Sequence, residues 1–374
     1  MESVIHLLSE LVAIPSMNPM GRTKIGDEYS EKAIAEHIAQ LLKAHAIDTQ
    51  VIEVLPGRPN VIGRIDVKAP QTLLLEAHLD TVHADAMSIA PFDPVIRDGK
   101  LFGRGACDTK GAIAALLQAV IDVLAINGQF KYNLVLLFVC DEEYRFSGAM
   151  AACDQLQADF GIVGEPTQLS IVRAHKGVTR WKIHTTGIAA HSAYPERGSN
   201  AIYAMANVVK RIEEYAQRLH MRRPHPLLGS PTISVGVIEG GEAVNIVPDR
   251  CSIEIDRRTV PGETTGDVFE AALAGLQGLP DWHADLPYLS VAGMELAEEA
   301  GIVRLLSEPI RRVTGSVSLE TAHYATDAGF YNNFGIPSVV FGPGNIAQAH
   351  TTDEHISLDQ VEQAKEIIKG LITV

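Results

Sequence analysis

The chain has 374 residues, of which 46% are hydrophobic and 21% charged, with a formal net charge of −15. That length exceeds what one hydrophobic core serves, so two domains are expected. The acidic balance excludes a nucleic-acid surface, which needs clustered Lys and Arg against phosphate, and none of Cys107, Cys140, Cys153 and Cys251 sits in the C-x-x-C pair of a thiolate metal site.

The chain opens Met1-Glu2-Ser3-Val4 with no basic stretch, and His6, Ser9 and Glu10 break its apolar positions. It reads as an amphipathic helix, not a signal peptide. No apolar run is long enough to span a bilayer. The expected setting is therefore the cytoplasm, with reduced cysteines and no membrane or nucleic-acid partner.

Nearly continuous apolar runs at Thr72–Ala77, Asn133–Cys140, Asp159–Gly164 and Pro337–Phe341 read as strands covered on both faces. Between the first two, Thr109–Ile126 is apolar around most of its circumference and reads as a buried helix. Strand–helix–strand order predicts an α/β layer fold with a largely parallel sheet. The middle of the chain alternates instead. Thr179–Thr186, Thr232–Ile238 and Arg250–Arg257 read as half-exposed strands, with Trp181, Ile183 and Thr185 on one side and Ile253 and Ile255 sharing another. Helical patterns at Ser199–Leu219 and Thr265–Leu276 accompany them. The predicted organisation is a catalytic domain at 1–178 and 290–374, interrupted by an α+β domain at 179–289.

Polar residues stand where the apolar strands end, which is where open α/β sheets bind ligands. These are His78-Leu79-Asp80, Asp141-Glu142-Glu143, Glu165-Pro166 and, through Gly342-Pro343-Gly344, His350. Asp108 opens the buried helix after Gly103-Arg104-Gly105. Each has an ordinary reading alone: a helix N-cap for Asp108, a solvated pair for Glu142 and Glu143, a turn residue for Glu165, a core histidine for His78. Together they gather carboxylates whose mutual repulsion a divalent cation resolves. Imidazole plus carboxylate suits zinc, cobalt or manganese. Two metals ~3.5–4 Å apart need a bridging carboxylate and terminal ligands on each side. Asp108 as bridge, His78 and Glu165 on one metal, and Glu143 and His350 on the other satisfy that count. Asp80 is expected to accept the second imidazole N–H of His78. Glu142 is left free to act as a general base. The Gly103–Gly111 segment has neither the G-K-[ST] order nor the G-x-G-x-x-G spacing of a phosphate loop, and no G-x-S-x-G elbow is present.

The stretches His78–Val82, Gly103–Gly111, Asp141–Glu143, Gly164–Thr167, Ala190–Pro195 and Gly342–His350 resemble the co-catalytic zinc family of acetylornithine deacetylase, succinyl-diaminopimelate desuccinylase, aminoacylase and glutamate carboxypeptidase. The resemblance implies a three-layer α/β/α sandwich whose inserted α+β domain dimerises, and the same two-metal site. It also implies a cis peptide between Asp108 and Thr109. His191 resembles a histidine that reaches the partner subunit's active site, Asn245 a substrate-contacting asparagine, and Arg258 an arginine that grips the substrate carboxylate. The implied activity is removal of an acyl group from a small N-acyl amino acid, N-acetylornithine foremost. A desuccinylase, a dipeptidase of the glutamate-carboxypeptidase type and an inactive binding protein on the same fold remain as alternatives. Two segments depart from the acetylornithine deacetylase pattern: Leu75–His83, with Glu76 where a glycine is more usual, and Ala322–Gly329, with its Thr326-Asp327-Ala328.

Overall fold

The computed structural model describes residues 3–23 and 26–374. The amphipathic opening becomes the helix Val4–Ala13, capped by the Ser3 side chain, which accepts from His6 N; Met1 and Glu2 lie outside the described residues. The chain divides into two units. The first runs to Arg173 and resumes at Leu296–Glu320 and Thr326–Val374. The second comprises Ala174–Glu295 and Thr321–Ala325. The edges expected at 178 and 290 thus move outward. Leu289–Val291 pairs with Val178–Arg180, and Met294–Glu295 pairs with Ala174–His175, so both stretches belong to the second unit.

At the centre of the first unit, Asn133–Val139, Thr72–His78, Phe160–Val163 and Ser338–Val340 lie side by side and parallel. These are the apolar runs read as doubly covered strands. Arg58–Ile65 and Asp48–Leu55 extend the sheet antiparallel on one side. Register pairs Leu73 with Leu134 and Leu75 with Leu136. That row, with Phe138, Phe160 and Ile162, packs against apolar side chains of the helices Val4–Ala13, Lys32–Ala44, Gly111–Ala125, Gly301–Thr314 and Leu358–Ile372. The opposite face is covered by the short helices Ser147–Cys153 and Ala328–Asn333. Two covered faces make the expected three layers. The buried helix starts at Gly111, two residues later than its pattern, because Ala106–Lys110 forms a separate wide turn with non-helical dihedrals at Asp108 and Thr109.

The second unit holds an antiparallel sheet in the order Thr232–Gly240, Arg250–Thr259, Gly177–Thr186, Trp282–Ala284, with Leu289–Val291 also on Gly177–Thr186. Ile253 pairs with Ile183 and Ile255 with Trp181. Both apolar rows therefore share one face, buried with side chains of the helix Ala201–His220. That helix is capped by Asn200, whose side chain accepts from Ile202 N and Tyr203 N. The other face carries the ion pairs Arg180–Asp256 and Lys182–Glu254, and His184, whose ring meets Asp285. One polar and one buried face is what the period-2 pattern requires.

Candidate metal centre

The carboxyl ends of the parallel strands carry the polar residues singled out above. His78 is the last residue of Thr72–His78. Asp141, in the left-handed region at φ 65, turns the chain out of Asn133–Val139 and is followed by Glu142 and Glu143. Asp tolerates that conformation better than branched residues do. Glu165 follows Phe160–Val163. Asp108 sits in the turn before Gly111–Ala125, and the Asp108–Thr109 peptide is cis.

These side chains converge. His78, Glu142 and Glu165 bring ligand atoms within 4.8 Å of one another, and so do Asp108, Glu143 and His350. Asp108 lies between the groups: its Oδ1 is 3.1 Å from His78 Nε2 and its Oδ2 is 3.3 Å from His350 Nε2. Glu165 Oε1 is 3.8 Å from His78 Nε2, and Glu143 Oε2 is 3.1 Å from His350 Nε2. One carboxylate offering an oxygen to each of two imidazole–carboxylate groups is the arrangement of a bridge between two cations. The donor set contains no sulfur, as hard or borderline divalent ions prefer.

Electrostatics point the same way. Burial, then the Asp108 charge, pushes the Glu165 carboxyl well above its ordinary value. Burial also lifts Glu142 well up, with Glu165, Asp327 and Glu143 adding to it, and brings Glu143 to about 6. Hydrogen bonds to Asp108 and Glu143 raise His350 to about 10. Burial opposes a charge on His78, but the surrounding carboxylates hold its imidazole well above the usual value. Without a cation, protons on these groups carry the compensating positive charge.

Asp80 differs from expectation. His78 Nδ1 reaches the Asp80 backbone carbonyl at 2.9 Å, while Oδ1 of the side chain stays 3.8 Å away. The carboxylate instead accepts from Glu142 N at 3.0 Å, Glu143 N at 3.1 Å and Asn18 Nδ2 at 2.8 Å. A fully buried carboxylate is best satisfied by several N–H donors, and the two backbone amides belong to the candidate base and a candidate ligand. The imidazole is still oriented by the same residue, through its main chain.

Two supporting networks have no local pattern in the sequence. Glu354, fully buried, accepts from Gly105 N at 3.0 Å, Cys107 N at 2.9 Å, Asp108 N at 3.0 Å and Arg104 Nη1 at 2.6 Å, and so sets the turn that presents Asp108. Arg58 donates to both oxygens of buried Glu31, at 2.7 and 2.5 Å, and to Asp141 Oδ1 at 2.9 Å. Asn18 joins Asp141 to Asp80. Burial raises Glu31 to about 7 despite the guanidinium. Glu354 stands four residues beyond the motif stretch Gly342–His350, and its partners lie some 250 residues away.

The two departures noted in the sequence meet in space. Glu76, on the strand Thr72–His78, is fully buried, and burial and the facing Asp327 carboxyl push it well above its ordinary value. Asp327, which precedes the helix Ala328–Asn333, is raised by burial to about 7.

His191, Asn245 and Arg258 lie in the second unit. Ala190–His191 pairs with Ile246–Val247, and Ser192 N donates to Asn245 O at 3.0 Å, so the histidine and asparagine are neighbours. Both are exposed. The Arg258 guanidinium donates to Asp256 at 2.7 and 3.2 Å, which fixes its plane. None of the helices among the described residues is long and apolar enough to cross a membrane.

A model of peptidase family M20/M25/M40 matches residues 74–374. The acetylornithine deacetylase of Photorhabdus laumondii is 32% identical over 381 aligned positions, covering 98% of this chain and 96% of that protein. Among solved structures, an M20 family metallo-carboxypeptidase from Sulfolobus solfataricus superposes with a TM-score of 0.81 at 21% identity, covering 99% of this chain and 98% of the other. A dinuclear metal-binding peptidase of the M20 family from Bacillus subtilis superposes with a TM-score of 0.68 at 18% identity, covering 98% and 96%.

Proposed function

The chain belongs to peptidase family M20/M25/M40 and is a metal-dependent hydrolase of amide bonds, and from that premise we propose that it removes the acyl group from an N-acyl amino acid, N-acetylornithine foremost. The observation that carries the hydrolytic reading is Asp108, with one oxygen toward His78 and the other toward His350. The acetyl group and the amino acid rest on the acetylornithine deacetylase relatives, which match along nearly the whole chain.

In this reading His78, Asp108, Glu143, Glu165 and His350 hold two divalent cations, zinc in the first instance. When bound, such ions acidify water and polarise an acyl carbonyl. Glu142 takes the proton from the attacking water and later delivers it to the leaving amine. Its pKa, raised by burial above the ordinary carboxylate range, suits a group that must both take and return a proton. Asp80 positions it by holding the amides of Glu142 and Glu143. His191 Nδ1 accepts from Ala193 N at 3.0 Å, which leaves Nε2 as the N–H and suits it to donate to an oxyanion. Asn245 and Arg258 would bind the amino-acid portion.

The working form in this reading is a homodimer through the second unit, acting in the cytoplasm. Support for the dimer comes from Thr232–Gly240, which pairs on one side only among the described strands, and from the exposed apolar residues Val237, Ile238, Tyr203 and Val244. Support for a reducing compartment comes from four free, buried cysteines.

The test is hydrolysis of N-acetyl, N-succinyl and N-carbamoyl amino acids and of dipeptides, with added zinc, cobalt or manganese. N-acetylornithine should turn over fastest, and Glu142→Gln should lower kcat by ~10²–10⁴-fold or more while metal binding persists. Faster cleavage of N-succinyl substrates or dipeptides would transfer the proposal to those rivals. No cleavage with metal bound would leave a binding protein. Mixing Glu142→Gln with His191→Ala should restore up to about half the activity per mixed dimer if sites are shared between subunits.

A further inference from the structure

A second histidine–carboxylate cluster lies in the second unit, on the polar face of its sheet. His184 and His283 stand directly opposite each other on the antiparallel strands Gly177–Thr186 and Trp282–Ala284. Their rings stack at 4.9 Å between centroids with planes 18° apart. Asp285, two residues beyond His283 and hence on the same side, places Oδ2 3.0 Å from His184 Nε2. Ligand atoms of all three lie within 4.8 Å of one another.

We propose that His184, His283 and Asp285 form a third metal site, taking a divalent transition ion such as zinc. Tetrahedral zinc with bonds of 2.0–2.2 Å spaces its ligand atoms by about 3.4 Å, so small rotations about χ angles bring these atoms into coordination. Two imidazoles and one carboxylate, with an open fourth position for water, are a borderline-soft donor set that favours zinc, copper or nickel over calcium or magnesium. Backbone pairing supplies the preorganisation: cross-strand neighbours have Cβ atoms ~4.5–5.5 Å apart whatever their side chains do. The cations flanking His184 on that face, Lys182 and Arg250, are each tied to a carboxylate, Glu254 at 2.8 Å and Glu242, which limits their repulsion of a metal. Such an ion would clamp a strand of only three residues, Trp282–Ala284, onto its neighbour.

An ordinary hydrogen bond between His184 and Asp285 would account for two members of the cluster but not for the stacked His283. That difference sets the experiment. Protein loaded with zinc is dialysed against rising free zinc, and bound metal is counted for the wild type, His283→Ala and Asp285→Asn. The wild type should take up one further ion per chain that both variants lack, with hydrolysis by the loaded enzyme unchanged. In parallel, copper(II) added to the zinc-loaded protein should give a spin-resonance spectrum with two coupled imidazole nitrogens, reduced to one in His283→Ala. Equal zinc uptake by the wild type and His283→Ala would overturn the proposal, as would a copper spectrum indifferent to His283. The comparison rests on the difference between variants, so it stands apart from how many ions the centre at Asp108 holds.

Discussion

Replacing Glu354 by glutamine tests whether the turn presenting Asp108 is held from behind. The carboxylate is fully buried and receives four donors: Cys107 N and Asp108 N at Oε1, Arg104 Nη1 and Gly105 N at Oε2. An amide has one acceptor oxygen and two donors of its own. In either orientation the guanidinium of Arg104, only 3% exposed, loses its counter-charge, and with the amide oxygen toward Cys107 and Asp108 it loses its acceptor as well. Breaking a buried pair that way costs about 3–5 kcal/mol. If its oxygen faces Arg104, two buried backbone amides meet an NH₂ group, at about 1–3 kcal/mol each. Either orientation gives roughly the same loss, a large share of the ~5–15 kcal/mol that stabilises a typical domain. Urea unfolding of the metal-free variant should show a midpoint lowered by about 1 M or more, for an m-value of a few kcal/mol/M. Zinc affinity should fall by ~10–100-fold, as for other partners that orient a ligand. Adding Arg104→Met should recover part of the stability, because the stranded charge is gone, but not the zinc affinity. A midpoint shift worth under about 1 kcal/mol would mean that Glu354 does not hold the turn.

Metal uptake should release protons. His350, raised to about 10, is protonated at pH 8 and must shed that proton to ligate, so calorimetric titration with zinc in two buffers of different ionisation heat should show at least one proton released per chain; uptake without release would contradict the imidazolium–carboxylate pairing. The metal-free protein should lose stability as pH rises from about 4.5 to 7. Glu31, Glu143 and Asp327 have folded-state pKa values above their ordinary ones, at about 7, 6 and 7, and outweigh His175, lowered by burial to about 4, so through these groups the native state binds more protons than the unfolded chain across that window; above it His350, raised to about 10, and Lys110, lowered by burial to about 7, act in opposite directions. Thermal unfolding across that range, with and without zinc, checks it, since bound cations replace the protons and should flatten the slope. Glu76→Gln should leave stability unchanged at pH 4 and raise it at pH 8, because burial and the facing Asp327 hold the wild-type carboxyl well above its ordinary value in the fold, so that ionisation favours the unfolded chain, whereas the amide has no such difference; equal unfolding midpoints of variant and wild type at pH 8 would refute that shift.

The parallel strands were legible because burial on both faces leaves no polar position in a run such as Leu134–Val139, and the second sheet because burial on one face writes alternation into Trp181, Ile183 and Thr185. The candidate ligands were legible for a related reason. They follow those runs directly, where strand ends compel side chains from distant segments to meet. What lacked a local trace was the support. Asp80 was read as the partner of its near neighbour His78, yet its carboxylate bonds residues 62 and 63 positions away. Arg58 meets Asp141 across 83 positions. Neither pairing creates a period or a spacing, so composition and pattern carry no sign of it.

Glu76 and Asp327 show what such long-range pairing does to a reading of departures. In the sequence they are separate oddities, one in the segment leading to His78 and one in a Thr-Asp-Ala run. In the fold they are one feature: two carboxyls enclosed between the sheet and the short helices Ser147–Cys153 and Ala328–Asn333, with Cys153 and Tyr331 around them. Two buried carboxyls facing each other cannot both ionise at ordinary cost, so each favours the protonated form of the other, a cost that a glycine or alanine at either position would remove. The strand that carries Glu76 also ends in His78. A pair whose ionisation is resisted is therefore built into the element that delivers an imidazole to the metal centre, and a substitution at one carboxyl acts on a charge state influenced by the other.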